Sequence, residues 1–183
     1  MKFGQSKVEL KDGTACILRS PDEQDAEKMI EYLKITSKET YFMIRYPEEI
    51  RITINEEKEC LNNNLTSDKD LMIAAFVNGE LAGNASISCV RNYVKLKHRA
   101  VFGISIKEKY WNNGIGSILL KTIIEQAPKM GYEQIELGVF ADNKKAQVLY
   151  KKYGFEVWGT TKNAFKLKDG TYRDEIIMVR IIK

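Results

Sequence analysis

The chain has 183 residues, enough for one well-buried core and short for two independent ones. Hydrophobic residues at 44% and charged residues at 30% exclude disordered, collagen-like and membrane-embedded classes, and no stretch approaches the roughly 20 apolar residues of a membrane span. The net charge of +4 comes from basic residues mostly interleaved with acidic ones, which suits an anionic ligand without demanding nucleic acid.

A hairpin is expected around Asp12-Gly13, with strands near Val8 and Ile17. Pro21 and Asp22 suit a helix start, and Ala26, Met29, Ile30 and Leu33 recur at helical spacing through Asp22 to Lys34. A second helix is expected from Ser37 to about Arg45, ending before Pro47, and a third, polar and amphipathic, over about Ile54 to Leu65. Asn62-Asn63-Asn64 and Ser67-Asp68 mark a loop. From Leu71 the texture changes: Leu71 to Val77, Leu81 to Val90 and Ala100 to Ile106 read as three consecutive antiparallel strands, with Asn78-Gly79-Glu80 as a hairpin turn between the first two. Helix Ile115 to Lys129, strand Gln134 to Phe140 and helix Asn143 to Tyr153 follow. The chain closes with strands near Phe155 to Thr160, Ala164 to Leu167 and Ile176 to Ile182. The fold class is α/β, a mixed, mostly antiparallel central sheet flanked by helices.

Within this order the run Val101 to Ser117 stands out as a strand feeding a glycine-bearing turn that opens straight into a helix. Gly114 and Gly116 remove side chains that would hold a ligand off the backbone, and the helix start offers unpaired N–H groups at the positive end of its dipole. A phosphate or pyrophosphate fits such a cradle. A P-loop is excluded because Gly116 is followed by Ser117 and Ile118 rather than by Lys and Ser or Thr. A dinucleotide fingerprint would want glycine where Leu119 stands, in a repeating βαβ context.

Downstream, Asn143-x-x-Ala146-x-x-Leu149-Tyr150-x-x-x-Gly154-Phe155 completes a pattern. Together with the turn it closely resembles the GNAT N-acetyltransferase family, from about Leu71 to the end and more loosely over the whole length. The resemblance implies the acyl-CoA N-acyltransferase fold and acetyl-CoA as co-substrate. Backbone groups of Ile104, Ser105 and Ile106 would bond the pantetheine arm as an added strand does. Asn112, Asn113, Gly114, Ile115, Gly116 and Ser117 would cradle the pyrophosphate. Asn143 would touch the cofactor near its helix start, where it also suits an N-cap. Tyr150 matches the tyrosine that protonates the departing thiolate in many members. Trp111 departs from the pattern, standing where the family usually shows Arg or Gln. In these terms residues 1–183 form one domain, with acceptor-side helices in 1–70 and the acetyl-CoA core in 71–183.

Direct transfer needs a neutral amine, and a lysine-like amine is neutral in only roughly one molecule in two thousand at pH 7. Many relatives carry a glutamate on the strand before the Asn143 helix, at the position of Gly138 here. Glu136, on the same face by strand alternation, is the expected base, acting through a water; Glu108, Asp174 and Glu175 are further candidates. A strand N–H near Ile106 would polarise the thioester carbonyl. The mixed aromatic and acidic run Thr40 to Glu49 and the hairpin tip Lys168 to Glu175 are candidates for shaping the acceptor site.

The expected reaction is acetyl transfer from acetyl-CoA to a primary amine of a small molecule or to a protein N-terminus. The rival is an acetyl-CoA sensor that does not turn over, favoured by Trp111 and Gly138. The basic stretch Lys95 to Arg99, holding the single histidine, reads as a solvated strand end rather than an RNA site. Cys16, Cys60 and Cys89 are odd in number and widely spaced, so neither a disulfide framework nor a metal site is expected. Met1 to Gly13 has no apolar core of a secretory signal, which points to the cytoplasm. A homodimer is expected from family habit alone.

Overall fold

The computed structural model describes Met1 to Ile182. Its eight strands form one sheet in the order β1-β2-β3-β4-β5-β6-β8-β7. They are β1 (Ser6–Glu9), β2 (Ala15–Arg19), β3 (Asp70–Val77), β4 (Glu80–Cys89), β5 (Arg99–Ile106), β6 (Gln134–Phe140), β7 (Glu156–Lys166) and β8 (Tyr172–Ile181). Every pairing is antiparallel except β5 with β6. Helices α1 (Ala26–Glu39) and α2 (Ile54–Thr66) cover one face, and α3 (Ile115–Gln126) and α4 (Lys144–Lys152) the other.

Strand alternation sorts the core. Ile73, Ala75 and Val77 of β3 join Leu119, Leu120 and Ile123 of α3 in the larger cluster. Ala74 and Phe76, their immediate neighbours, join Met29 and Tyr32 of α1 and Leu61 of α2 in the smaller one. Each fully buried Leu or Ile contributes about 1.5–3 kcal/mol, so the more populated α3-side cluster carries the larger share of the burial.

Three boundaries differ from the sequence expectation. Instead of two helices over Asp22 to Arg45, α1 runs unbroken through Ser37 to Glu39 and Thr40 leaves it in extended conformation; Tyr41 and Phe42 turn back onto Phe140, with centroids at 5.9 and 5.6 Å. Helix α3 stops at Gln126, because Pro128 converts the last residues into a 3-10 turn. The strands expected near Phe155–Thr160 and Ala164–Leu167 are one strand, β7, whose register shifts between Thr161 and Phe165 around Asn163 at φ 53°. The bulge bends the strand without breaking it.

Candidate active site

β5 pairs with β6 only through Arg99, Ala100 and Val101, opposite Gln134, Ile135 and Glu136. Among the described residues no ladder joins the rest of β5 to Leu137–Phe140, so a wedge opens between the strands while β5 stays paired to β4 through Ile106. In an antiparallel ladder alternate residues turn their backbone groups to the same neighbour. Val90 N–H donates to Arg99 O (3.1 Å) and Lys107 N–H to Ala82 O (2.9 Å), which sets the odd-numbered residues of β5 toward β4. Ile104 and Ile106 therefore present their backbone to the wedge, and Ser105 does not. The expectation for Ser105 is corrected accordingly: its carbonyl accepts from the Tyr32 hydroxyl (2.6 Å), and its own hydroxyl lies 2.8 Å from the same oxygen. The Ile106 carbonyl accepts from the Trp111 indole N–H (2.7 Å). What the strand offers a ligand is its Ile106 N–H and both polar groups of Ile104.

Past β5, Asn112 (φ 66°) and Gly114 (φ 95°) both take the left-handed conformation, and α3 begins at Ile115. The first bond into the helix runs from Ile118 N–H to Gly114 O (3.0 Å); among the described residues no N–H of Asn112 to Ser117 has an acceptor within the chain. This row of donors at the positive end of α3 is suited to a pyrophosphate. Asn113 offers only its N–H, since its amide Oδ1 accepts from Asp12 N–H (3.2 Å) and its Nδ2 donates to Asp12 Oδ2 (2.7 Å). The β1–β2 turn thereby braces the cradle. Gly116 has a packing duty as well: a Cβ there would lie 3.1 Å from Ile106 Cδ1 and 3.3 Å from Leu149 Cδ2. The Lys145 ammonium lies 5.0 Å from the Trp111 ring centroid. A cation thus stands beside the position where the family's Arg or Gln is missing, a substitution that sequence reading missed because the two residues are far apart in the chain.

Helix α4 is pinned to the end of β6 by Gln147, whose Nε2 donates to Phe140 O (3.1 Å) and Ala141 O (3.0 Å). Asn143 is its N-cap, with Oδ1 accepting from Ala146 N–H (3.2 Å). Tyr150 is 7% exposed and meets Phe102 edge-on at 6.2 Å. Phe102 is the first β5 residue beyond the parting of the strands, which puts the Tyr150 ring at the throat of the wedge. Its hydroxyl has no partner among the described residues, and burial pushes its pKa up to about 12. It stays protonated at any physiological pH.

The α1 face of the wedge carries the carboxylates. Glu136 is corrected as the expected base. It faces Val101 in the register where the strands are still joined, and its two oxygens are held by Arg99 Nε and Nη2, the latter at 2.7 Å, with Gln134 Nε2 at 3.0 Å. Both oxygens are thus engaged in charge-assisted hydrogen bonds. Glu108 is exposed, and its N–H is capped by Glu39 Oε2 (2.8 Å). Asp174 is tied to Lys162 (2.7 Å) and Asn163 N–H (3.0 Å). Glu175 differs: it pairs with Phe140 across β6–β8 and leans back along the strand, so that a Cβ built on Gly138 would overlap its Oε1 and lie 2.8 Å from its Cδ.

The two segments expected to shape the acceptor side do meet. Tyr46 Oη accepts from Lys168 N–H (3.1 Å), and the Lys168 ammonium lies over its ring and pairs with Glu48. Tyr41 Oη donates to Asp142 Oδ2 (2.8 Å), which also holds Arg173 Nε (3.2 Å). Phe140 stacks on Phe165 at 3.9 Å. An aromatic and charged rim thus surrounds the α1-side mouth of the wedge.

The strand wedge, donor row and Tyr150 helix fit one family, and the family model described as "Acetyltransferase (GNAT) family" matches residues 26–155. The chain belongs to the GNAT acetyltransferase family. As a GNAT protein it is an N-acetyltransferase with acetyl-CoA as co-substrate, and transfer rather than sensing alone is what its relatives are named for. It is similar to the L-amino acid N-acetyltransferase AaaT of Escherichia coli, 36% identical over 110 residues that make up 60% of this chain and 67% of that one. The [Ribosomal protein bS18]-alanine N-acetyltransferase of Escherichia coli is 30% identical over 56% of this chain and 70% of its own. A GNAT acetyltransferase from Streptococcus pneumoniae superposes with a TM-score of 0.87 at 30% identity, over 92% of this chain and 99% of that one. No helix among the described residues is long and apolar enough to cross a membrane, and none of their His, Cys, Asp and Glu side chains converge in threes to hold a metal.

Proposed function

We propose that this GNAT enzyme acetylates the amine of a small molecule, an L-amino acid first, with a protein N-terminus as the second class of acceptor. The observation that carries the reading is the wedge itself: a free β5 edge at Ile104 and Ile106 leads from the unpaired N–H row of Asn112 to Ser117 to the Tyr150 hydroxyl. The pyrophosphate of acetyl-CoA sits on the row, with Lys145 beside it, and the pantetheine lies along β5. The Ile106 N–H polarises the thioester carbonyl as a single oxyanion donor. The L-amino acid assignment is supported by the named activity of the 36%-identical relative and by the charged and aromatic character of the mouth, where the Arg173–Asp142 pair lies beside the Phe140–Phe165 stack. A protein N-terminus is supported by the activity named for the 30%-identical relative, and its amine, with a pKa of about 7.7–8.0, is neutral in roughly one molecule in eight at pH 7.

The amine attacks the carbonyl carbon, a C–N bond forms, and the C–S bond breaks. Tyr150 donates its hydroxyl proton toward the departing sulfur. With its pKa at about 12, full transfer to a thiolate of pKa about 8.5 is uphill by ~5 kcal/mol, so the step is a charge-assisted hydrogen bond that completes as the phenolate takes a proton from the new amide nitrogen. Residues 1–183 act as one catalytic unit in the cytoplasm, and a homodimer is part of the same proposal. The test is thermal unfolding with and without acetyl-CoA, followed by free-thiol release across L-amino acids, simple amines and short peptides. A rise in melting temperature with thiol release for amino acids supports the reading; a rise without release for any amine refutes it.

A further inference from the structure

We propose that Glu175, from β8, is the general base that deprotonates the acceptor amine, reaching over Gly138 into the space a β6 side chain would otherwise fill. The inference rests on the acetyltransferase reading above. Three observations carry it. Gly138 leaves a gap in the α1-side face of β6 next to the wedge, and that gap holds the Glu175 carboxylate. The position is possible because Glu175 faces Phe140, two register steps along from the Gly138 and Ile177 pair, and such diagonal neighbours lie within reach of a long side chain on the same face. Finally, the other candidate carboxylates are engaged or exposed: Glu136 is held by Arg99, Asp142 by Tyr41 and Arg173, Asp174 by Lys162, and Glu108 is exposed past the end of β5. Among the described residues no hydrogen bond or ion pair engages the Glu175 carboxylate, and it is half-buried, so an amine or a water can still reach it.

The proton balance closes with these groups. The carboxylate of Glu175 takes a proton from R–NH3⁺ and leaves R–NH2, whose lone pair forms the C–N bond. The thiolate leaves with the electron pair of the C–S bond and accepts a proton from Tyr150. Tyr150 recovers one from the amide nitrogen, and Glu175 releases its proton to solvent. The products are the acetamide, CoA thiol and one proton. Gly138 is then a positioning residue: its missing side chain gives Glu175 its place.

The experiment compares wild type, Glu175→Gln and Gly138→Ala with two nucleophiles, an L-amino acid that is an ammonium ion at pH 7 and hydroxylamine, which is already neutral. Calorimetric acetyl-CoA affinity is the control that does not depend on turnover. For Glu175→Gln, kcat/KM should fall by about 10²–10⁴-fold with the amino acid and by less than about fivefold with hydroxylamine. The loss should shrink about tenfold for each pH unit raised toward the amine's own pKa, and acetyl-CoA affinity should be unchanged. Gly138→Ala, which displaces the carboxylate, should show the same pattern. The double variant Gly138→Glu with Glu175→Gly should recover part of the rate, because the carboxylate is restored from β6. Equal losses with both nucleophiles, or retention of the wild-type rate and pH profile by Glu175→Gln, overturns the assignment. Failure of wild type to release thiol with either nucleophile overturns the transferase reading and this assignment with it, whereas a wild type that turns over beside an unaffected Glu175→Gln overturns this assignment alone.

Discussion

Replacing Tyr150 by Phe should separate catalysis from stability. The ring is 7% exposed and packs on Phe102 and Phe155, while its hydroxyl has no partner among the described residues. Phe keeps the ring contacts and removes a polar group that burial disfavours, so the folded state should be unchanged or stabilised by up to about 1 kcal/mol. The proper comparison is Tyr32→Phe, where the hydroxyl is bonded to Ser105 O at 2.6 Å and sits 2.8 Å from Ser105 Oγ. There the same one-atom change leaves a buried carbonyl short of a donor and should cost about 1–3 kcal/mol. Catalysis should order the other way: kcat down by about 10²–10⁴-fold for Tyr150→Phe, with acetyl-CoA affinity within twofold or so, and a much smaller loss for Tyr32→Phe. The assays are urea unfolding, calorimetric titration with acetyl-CoA, and initial rates of thiol release. The folded pKa is raised from 10.0 to about 12, so the protonated form stabilises the fold fully below about pH 10 and that contribution is lost as pH rises toward about 12. Tyr150→Phe should blunt the alkaline loss. A variant that keeps its rate, or one that unfolds like Tyr32→Phe, refutes the role given to this hydroxyl.

Gly116→Val should weaken acetyl-CoA binding more than tenfold and cost about 1–3 kcal/mol, because the new side chain meets Ile106 and Leu149 at 3.1–3.3 Å; titration and melting measure both. Glu136→Gln should leave the rate within about threefold and the pH profile unaltered, since its carboxylate serves Arg99; stability should drop by about 1 kcal/mol, as expected of a partly exposed pair. Glu80 is held down to about pKa 2, first by Lys107 and then by Lys109. Its contribution is present above pH 4.5 and is lost as pH falls toward about 2, discounted to about 1 kcal/mol because the side chain is 38% exposed. Glu80→Gln should remove that part of the acid sensitivity in a melting series from pH 6 to 2, and an unchanged slope counts against the pairing.

What the sequence carried best were features written in local code. Asn78-Gly79, at φ 50° and 78°, names its hairpin, and Gln134 to Phe140 is β6 to the residue. The donor row was legible because glycine and a helix start lie next to each other in the chain. Features set by residues distant in sequence were not legible. Ser105 could be placed on β5, but only the register with β4 decides which neighbour its backbone serves. Tyr32 reads as one more apolar helix residue, yet it ties α1 to that strand. Glu136 satisfied strand alternation, yet its carboxylate is held by Arg99 on the neighbouring parallel strand, 37 residues away. The gap at Gly138 was visible; the Glu175 carboxylate filling it depends on the β6–β8 register, which no periodicity specifies. The aromatic run after α1 looked helical in composition, but its rings are drawn onto Phe140.

Amide hydrogen exchange on the wild-type protein with and without acetyl-CoA tests the central assignment most directly. Slowed exchange at Ile104, Ile106 and the Asn112–Ser117 amides, with Ser105 already slow in the free protein because its N–H faces β4, is the expected result. Unchanged exchange across Asn112–Ser117 at saturating acetyl-CoA, or protection confined to another part of the sheet, contradicts a cofactor seated in the wedge between β5 and β6.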